Sequence, residues 1–252
     1  MISLHNQIAL ITGGSRGIGA ATALLFAEAG ADVAITYQKD NRAADAVCRK
    51  VEAFGVRAIA VKGSIEKYAD CKRMIGSVMK AFGKIDILVN SAGIWEYGEI
   101  GGMTEKEWNR TIAINLNGTF NMCNLVVPLM KRRKYGRIVN VASTAGQRGE
   151  VNHSHYAASK GGIIAFTKSL GAELISKGIW VNCVAPGWVD TDMTSAELRK
   201  GSSKIEILRT IPRQKVGTPE EIAGPILFLA SDLANNVVGE ILNANGGSVL
   251  CG

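Results

Sequence analysis

Two kinds of segment alternate along almost the whole chain, and this alternation restricts the fold more than any other feature. Short runs rich in β-branched residues predict strands at 7–12, 32–37, 56–61, 85–90, 137–143, 179–186 and 239–247. Helical patterns follow them at 18–29, 41–54, 68–82, 104–131, 154–176, 193–209 and 218–230. Such alternation is typical of a parallel sheet with helices on both faces. We therefore expect one α/β domain over residues 1–252, a Rossmann-type doubly wound sheet that binds ligands beyond the carboxyl ends of its strands.

The composition is typical of a globular protein in a reducing compartment. Apolar residues make up 47% and charged residues 20% of the 252 residues, which argues against disorder and allows a large core. No apolar run approaches the ~20 residues that span a bilayer, and the start "MISLHNQIAL" lacks a signal-peptide pattern. The cysteines, at positions 48, 71, 123, 183 and 251, form no CxxC pair, and the three histidines have no metal-site spacing. We expect a cytoplasmic protein with reduced thiols and no metal.

The net charge of +7 has its densest source in the basic cluster "KRRKYGR", residues 131–137. The cluster falls where a long helix should end, and cations there oppose the negative end of the helix dipole. Docking of an acidic partner is the alternative that the charge leaves open. No aromatic–basic interleaving or recognition-helix pattern accompanies the cluster, so we do not expect nucleic-acid binding.

A glycine-rich loop, "TGGSRGIG" at 12–19, lies between the first strand and the first helix. Gly13 permits a sharp turn, Gly17 lets a pyrophosphate approach the backbone, and Gly19 lets the helix pack close to the sheet. The helix N-terminus then presents free N–H groups to the anion. The position of the loop predicts nucleotide binding, with Ser15, Arg16 and Ile18 as further contacts.

The end of the second strand indicates which dinucleotide binds. An NAD site usually has a carboxylate there for the ribose 2′-hydroxyl, but this chain has Tyr37. Lys39 follows two residues after Tyr37, and Arg16 lies in the glycine loop; both would attract a 2′-phosphate. We therefore predict NADP, with NAD and merely solvated cations as the alternative.

Tyr156 and Lys160 lie one helical turn apart in "HSHYAASKGG". The pair alone is more typical of an ordinary surface helix, since this spacing is common by chance. If the two side chains share a face, the ammonium would favour phenolate and lower the pKa of the tyrosine. The tyrosine could then act as a general acid or base near neutral pH.

Six motifs in order resemble the short-chain dehydrogenase/reductase family over essentially the whole chain. They are "TGGSRGIG" at 12–19, "NSAG" at 90–93, Asn115 in "INLNG", Ser143 in "NVAS", "YAASK" at 156–160 and "PGWVDT" at 186–191. The resemblance implies a catalytic tetrad of Asn115, Ser143, Tyr156 and Lys160. It implies that Ser143 binds the carbonyl oxygen, that Lys160 also holds the nicotinamide ribose, and that Asn115 orders a proton-relaying water. The implied reaction interconverts a ketone and a secondary alcohol by hydride transfer.

The resemblance also implies the remaining cofactor contacts. They are Asn90, Ala92 and Gly93 after strand four, and Pro186, Gly187, Val189 and Thr191 after strand six. The family often has an acidic residue after strand three to hold the adenine amino group. This chain has Ser64 and Ile65 in that segment.

Within the family, the chain is most similar to 3-oxoacyl-[acyl carrier protein] reductases and to the ketone and polyol dehydrogenases beside them. A thioester on acyl carrier protein or coenzyme A and a smaller ketone or polyol are both open as substrates. Trp95, Tyr97, His155, Trp188 and Met193 are candidates to line the substrate pocket. A non-catalytic NADP-sensing regulator is a remote third reading, because such proteins typically lack the tyrosine or the lysine. The family also implies a homotetramer that assembles through the helices at 104–131 and 154–176.

Overall fold

A computed structural model describes residues 2–250. Seven strands form one parallel sheet in the order β3-β2-β1-β4-β5-β6-β7. The strands are β1 (Ile8–Thr12), β2 (Asp32–Tyr37), β3 (Ala58–Lys62), β4 (Ile87–Asn90), β5 (Gly136–Val141), β6 (Ile179–Pro186) and β7 (Ile241–Ala244). The order reverses between β1 and β4, so a crevice opens there at the carboxyl ends of the strands. The predicted doubly wound sheet is confirmed.

Helices cover both faces of the sheet. They are α1 (Gly17–Glu28), α2 (Asn41–Glu52), α3 (Tyr68–Phe82), α4 (Glu105–Ile112), α5 (Gly118–Arg133), α6 (Ala145–Arg148), α7 (Ser154–Leu174), α8 (Ser195–Arg199), α9 (Gly201–Arg209) and α10 (Pro219–Leu229). One apolar cluster joins α1, α2 and α10 to the sheet, and Ile11 belongs to it. A second joins α3, α5 and α7 to the opposite face, and Leu10 belongs to that one. Adjacent strand residues thus enter different cores, as the pleat requires.

Three predicted boundaries are wrong in ways that affect the site. The helix predicted at 104–131 is interrupted by a π-helical segment, Ala113–Asn117, between α4 and α5. The helix predicted at 193–209 is two helices, because Lys200 has an extended backbone between α8 and α9. The fifth strand ends at Val141, so Ser143 lies in the loop beyond it.

The basic cluster at 131–137 is largely explained by internal contacts. Lys131, Arg132 and Arg133 form the last turn of α5, as the helix-dipole reading predicted. Arg133 pairs with Asp86 at 2.7 Å. Arg137 is only 1% exposed and pairs with Asp232 at 2.9 Å.

Within residues 2–250, no helix has the length and apolar character that crossing a membrane requires. Four cysteines, Cys48, Cys71, Cys123 and Cys183, have free thiols. Cys251 lies outside the described residues.

Helices α6 and α7 approach so closely that one glycine separates their backbones. A Cβ atom on Gly146 would lie 2.5 Å from the carbonyl carbon of Lys160 and 2.6 Å from the nitrogen of Gly161. Both neighbours are backbone atoms, so they cannot move aside as a flexible side chain could. This contact sets the distance between the loop that carries Ser143 and the helix that carries Tyr156 and Lys160.

We predict that Gly146→Ala lowers the free energy of unfolding by about 1–3 kcal/mol, because an overpacked contact must separate the helices. Urea unfolding curves measure this change as a lower midpoint with an unchanged slope. Gly76→Ala is the matched control, since Gly76 lies in α3 with nothing within 4 Å of the added atom. The control should be neutral or more stable by up to ~1 kcal/mol. Equal midpoints for Gly146→Ala and the wild type would contradict the packing argument.

Candidate active site

The glycine loop between β1 and α1 has the shape that a dinucleotide requires. Gly13 and Gly17 have φ angles of +66° and +52°, which disfavour residues with a side chain. A Cβ on Gly13 would lie 2.9 Å from the Cα of Ala92, and one on Gly19 would lie 2.4 Å from the carbonyl oxygen of Gly13. Helix α1 begins at Gly17 without a side-chain cap from Arg16. Its first N–H groups therefore face a cradle that fits a pyrophosphate.

The loop after β6 forms the opposite wall of this cradle. A Cβ on Gly17 would lie 3.3 Å from Cγ2 of Thr191. Val189 is buried, and its carbonyl accepts a hydrogen bond from the hydroxyl of Thr194. The Pro186 carbonyl accepts a hydrogen bond of 3.0 Å from the N–H of Thr144. The predicted contacts after strand six thus lie opposite the glycine loop.

The predicted binding site for the 2′-phosphate differs from the sequence expectation at Tyr37. Tyr37 is only 8% exposed, and its hydroxyl donates a hydrogen bond to Oδ1 of Asn41. The tyrosine ring therefore packs into the core instead of facing a ribose. Arg16 is 3.7 Å from Asp192, and both side chains are about three-quarters exposed, at 74% and 73%. Arg16 and Lys39 are both exposed, as is Arg42 in the first turn of α2.

The segment after β3 has its own set of contacts. Gln38 Nε2 donates a 2.7 Å hydrogen bond to the hydroxyl of Ser64. The N–H of Ser64 donates to the Asp70 carboxylate at 3.0 Å. Ile65 is 6% exposed and packs against Gly118 at the start of α5. The carboxylate of Asp70, in the first turn of α3, thus holds the backbone at Ser64 and also pairs with Arg73.

Beyond β4, the backbone rather than the asparagine faces the crevice. The N–H groups of Ser91 and Ala92 each donate to the Thr12 hydroxyl at 3.1 Å. Asn90 is 4% exposed, and its amide donates 2.9 Å to Oδ1 of Asn140 inside the sheet. Asn90 thus holds β4 to β5 by a buried hydrogen bond, and Ala92 and Gly93 remain at the surface of the crevice.

Asn115 lies in the π-helical segment and is fully buried. Its side chain forms two hydrogen bonds with the backbone of Ile94, accepting from N–H at 2.8 Å and donating to the carbonyl at 3.0 Å. A third bond of 3.1 Å reaches the hydroxyl of Ser159 on α7. The widened π-helical segment thus directs the amide of Asn115 towards the loop after β4 and towards α7, which carries Tyr156. Single-turn π segments are frequent at functional sites.

Burial, rather than Lys160, dominates the pKa of Tyr156. Burial raises the pKa of the phenol to about 12, and a hydrogen bond from Ser143 opposes this only in part. Burial also lowers the pKa of Lys160 to about 8. The ammonium of Lys160 donates 2.8 Å to the carbonyl of Val141 and lies 5.7 Å from the centroid of the tyrosine ring. The expectation that Lys160 lowers the pKa of Tyr156 is therefore wrong for the polypeptide alone, because the lysine is bonded elsewhere.

Ser143 and Tyr156 line one cleft of about 420 Å³ at the carboxyl end of the sheet. Trp95, Trp188 and Met193 form its apolar walls, as the sequence predicted. Sequence reasoning missed Arg148 and Glu150, which also line it. The only signal for them is their position between Ser143 and Tyr156.

The aromatic residues of the cleft form a connected set. Trp95 stacks on His153 with ring centroids 4.4 Å apart and an interplanar angle of 4°. It meets Trp188 edge-on at 5.7 Å. Tyr97 contacts the other side of His153, edge-on at 6.1 Å, and is 64% exposed. Tyr97 thus lies outside the cleft, and Trp95 and Trp188 fix its width.

His155 does not line the cleft, contrary to the prediction. Its side chain is 0% exposed and packs beneath the loop of Gly98. Neither ring nitrogen has a hydrogen-bond partner among residues 2–250. Burial lowers the pKa of His155, and it is therefore a neutral packing residue. It points away from Tyr156 because successive residues of a helix face different directions.

Within the described part of the chain, no group of three or more His, Cys, Asp and Glu side chains is placed to hold a metal ion. The polar groups that line the cleft include the hydroxyls of Ser143 and Tyr156, the guanidinium of Arg148 and the carboxylate of Glu150.

Comparisons with known proteins identify the family of this chain. A family model described as "Enoyl-(Acyl carrier protein) reductase" matches residues 13–248. The chain belongs to the short-chain dehydrogenase/reductase family. Members of this family are NAD(P)-dependent oxidoreductases, so the chain is an enzyme of that class.

The relatives cover almost the whole chain. A 3-oxoacyl-[acyl-carrier-protein] reductase of Synechocystis sp. is 41% identical over 99% of this chain and 100% of its own length. One of Staphylococcus epidermidis is 40% identical over 96% of this chain and 98% of its own. The crystal structure of gox2181 is 33% identical, with a TM-score of 0.94 over 98% of this chain and 96% of that one. This short-chain dehydrogenase/reductase therefore shares both sequence and fold with its relatives along their full lengths.

Proposed function

We propose that this enzyme reduces the keto group of 3-oxoacyl thioesters, on acyl carrier protein or coenzyme A, with NADPH. The observation that carries the proposal is the cleft where the hydroxyls of Ser143 and Tyr156 meet, beside the glycine cradle for a dinucleotide. The substrate class is supported by the names of the Synechocystis and Staphylococcus relatives, at 41% and 40% identity.

Ser143 and Tyr156 are proposed to act together on the carbonyl oxygen. The serine hydroxyl donates a hydrogen bond to that oxygen and holds it in place. When bound, the reduced dinucleotide supplies the hydride for the carbonyl carbon. Tyr156 gives its phenolic proton to the oxygen, and the product is a secondary alcohol.

The buried position of the phenol suits this role. Because burial raises the pKa of Tyr156 to about 12, the phenol carries the proton that reduction consumes. Lys160 is proposed to stabilise the phenolate that remains, since its ammonium lies 5.7 Å from the ring centroid. The same lysine is proposed to bind the nicotinamide ribose.

Asn115 is proposed to join the two halves of the site. Its bonds to Ile94 and Ser159 connect the loop after β4 with the helix of Tyr156. The ordering of a proton-relaying water by Asn115, and the dinucleotide contacts predicted from the sequence, belong to the same proposal.

We predict that Tyr156→Phe lowers kcat for acetoacetyl-CoA reduction by at least about 10³-fold, because the substitution removes the proton donor and keeps the ring. NADPH oxidation measures the rate, and titration of NADPH fluorescence should give a Kd close to that of the wild type. Tyr97→Phe, at an exposed ring outside the cleft, is the control and should keep full activity. Crotonyl-CoA should not be reduced, which separates keto from enoyl reduction. Activity of Tyr156→Phe within tenfold of the wild type would refute the proposed role.

We propose that Arg16 and Lys39 give the enzyme its preference for NADPH. Each charge-assisted contact to a 2′-phosphate contributes roughly 1.5–3 kcal/mol before solvent screening. Both side chains are exposed, so we expect a preference of only about 10²-fold in kcat/KM.

Arg16→Ala combined with Lys39→Ala should reduce this ratio to about tenfold or less and leave NADH kinetics nearly unchanged. Lys50→Ala, an exposed lysine at the far end of α2, is the control. A wild type that uses NADH as well as NADPH would show that the two cations are merely solvated.

We propose that the chain forms a homotetramer through α5 and α7. Phe120 is 46% exposed and contacts Phe166 at 6.4 Å, so the two helices share an apolar surface. Ala165 is an exposed small residue on the same helix as Phe166. Met122 and Val126 of α5 are fully buried in the core and do not contribute to this surface.

Light scattering at micromolar concentration should give about four times the 26.8 kDa chain mass. Phe120→Glu should dissociate the assembly, because it places a charge in an apolar contact. Glu105→Gln on α4 is an exposed control that should keep the assembly intact. A wild type of single-chain mass would refute the tetramer.

A further inference from the structure

Glu150 is the one acidic residue known to line the reaction cleft within residues 2–250. It lies between α6 and α7, where the cleft also contains the hydroxyls of Ser143 and Tyr156. A carboxylate in the same cleft disfavours the phenolate that forms when the phenol releases its proton, because the two negative charges repel each other. The proposed mechanism above gives Glu150 no role.

The side chain of Glu150 lies beside an aromatic cluster at the cleft. Burial raises the pKa of Glu150, and the neighbouring indole of Trp95 is among the groups that lower it. Trp95 is itself fixed by the stack on His153 at 4.4 Å and by the edge contact with Trp188 at 5.7 Å. The main-chain N–H of His153 also donates 3.2 Å to the carbonyl of Glu150. The backbone of Glu150 is therefore held by His153, and its side chain lines the cleft beside rings that pack against one another.

Charged and titratable groups face Glu150 from each neighbouring element. Arg148 approaches from the end of α6, and His153 from the start of α7; both lower the pKa of Glu150, which burial raises. Tyr156 faces it from α7, and the negative charge of Glu150 raises the pKa of the tyrosine. Lys160, one turn further along α7, is bonded to the carbonyl of Val141. Trp188 and Met193 bring only apolar surface from the loop after β6.

We propose that Glu150 is a positioning residue that acts through Tyr156: its carboxylate keeps the phenol protonated and so extends the pH range of reduction upwards. The proposal rests on the proposed role of Tyr156 as proton donor. A substitution in the enzyme leaves the equilibrium constant of the reaction unchanged. Removal of the Glu150 charge should therefore shift the pH profiles of reduction and of oxidation in the same direction.

The test is the pH profile of 3-hydroxybutyryl-CoA oxidation at saturating NADP⁺, between about pH 6 and 10. Oxidation needs phenolate, so kcat/KM rises with pH until Tyr156 is deprotonated. Glu150→Gln removes the charge and keeps the shape, and it should move this ascending limb about one pH unit lower. The profile of acetoacetyl-CoA reduction should move in the same direction.

Three further variants separate charge from shape. Glu150→Asp restores the charge and should return the limb close to the wild-type position. Trp95→Phe removes the indole N–H that lowers the pKa of Glu150, and it should give a smaller downward shift than Glu150→Gln. Glu96→Gln changes a carboxylate that pairs with Arg110 outside the cleft, and it should leave the limb unchanged.

A limb that stays at the wild-type pH in Glu150→Gln would overturn the inference, as would an equal shift in Glu150→Asp. These results differ from failure of the proposed function. If Tyr156→Phe remains active, or if the wild type does not oxidise 3-hydroxybutyryl-CoA, the proposed function fails. If both of those tests succeed and the limb does not move, only the inference about Glu150 fails.

Discussion

The buried ammonium of Lys160 is the interaction on which the site depends. The side chain is only 5% exposed, and burial of a cation is costly unless it is hydrogen-bonded. Its bond of 2.8 Å to the carbonyl of Val141 joins the middle of α7 to the end of β5. The close contact of Gly146 with the Lys160 backbone fixes the same turn from the other side. The tyrosine one turn earlier is therefore held against the loop that carries Ser143, and the cleft has its shape because of this one attachment.

The same desolvation moves the two ionisable groups of α7 in opposite directions. Burial favours the neutral form of each, so it raises the pKa of Tyr156 to about 12 and lowers that of Lys160 to about 8. The ordinary pKa values of tyrosine and lysine differ by less than about one unit, and burial makes the difference between Tyr156 and Lys160 much larger. The polypeptide on its own therefore prepares a protonated phenol. Stabilisation of the phenolate is needed only after the proton has left, which is when a nearby cation acts most strongly.

Most of the fold could be predicted from the sequence, because buried parallel strands require short β-branched runs and the crossover helices require long amphipathic ones. The motif residues could be found through the resemblance to the family, because six motifs in order are specific although each one alone is common. The rest depends on tertiary placement. His155 and Glu150 are both polar and both lie near Tyr156 in sequence, yet the first is buried under a loop and the second faces the cleft. Only the path of the chain between α6 and α7 decides this, and it leaves no pattern in the sequence.

The loop after β6 connects the two ends of the crevice. Trp188 and Met193 line the cleft of Ser143 and Tyr156, whereas Thr191, between them in sequence, faces Gly17 in the glycine loop. The Thr194 hydroxyl accepts from the N–H of Thr191 at 3.2 Å and donates to the carbonyl of Val189. These bonds make the loop one compact unit, so Thr191 cannot shift towards a cofactor without moving the wall beside it. The two binding regions therefore share a single wall, and the position of one ligand constrains the space left for the other.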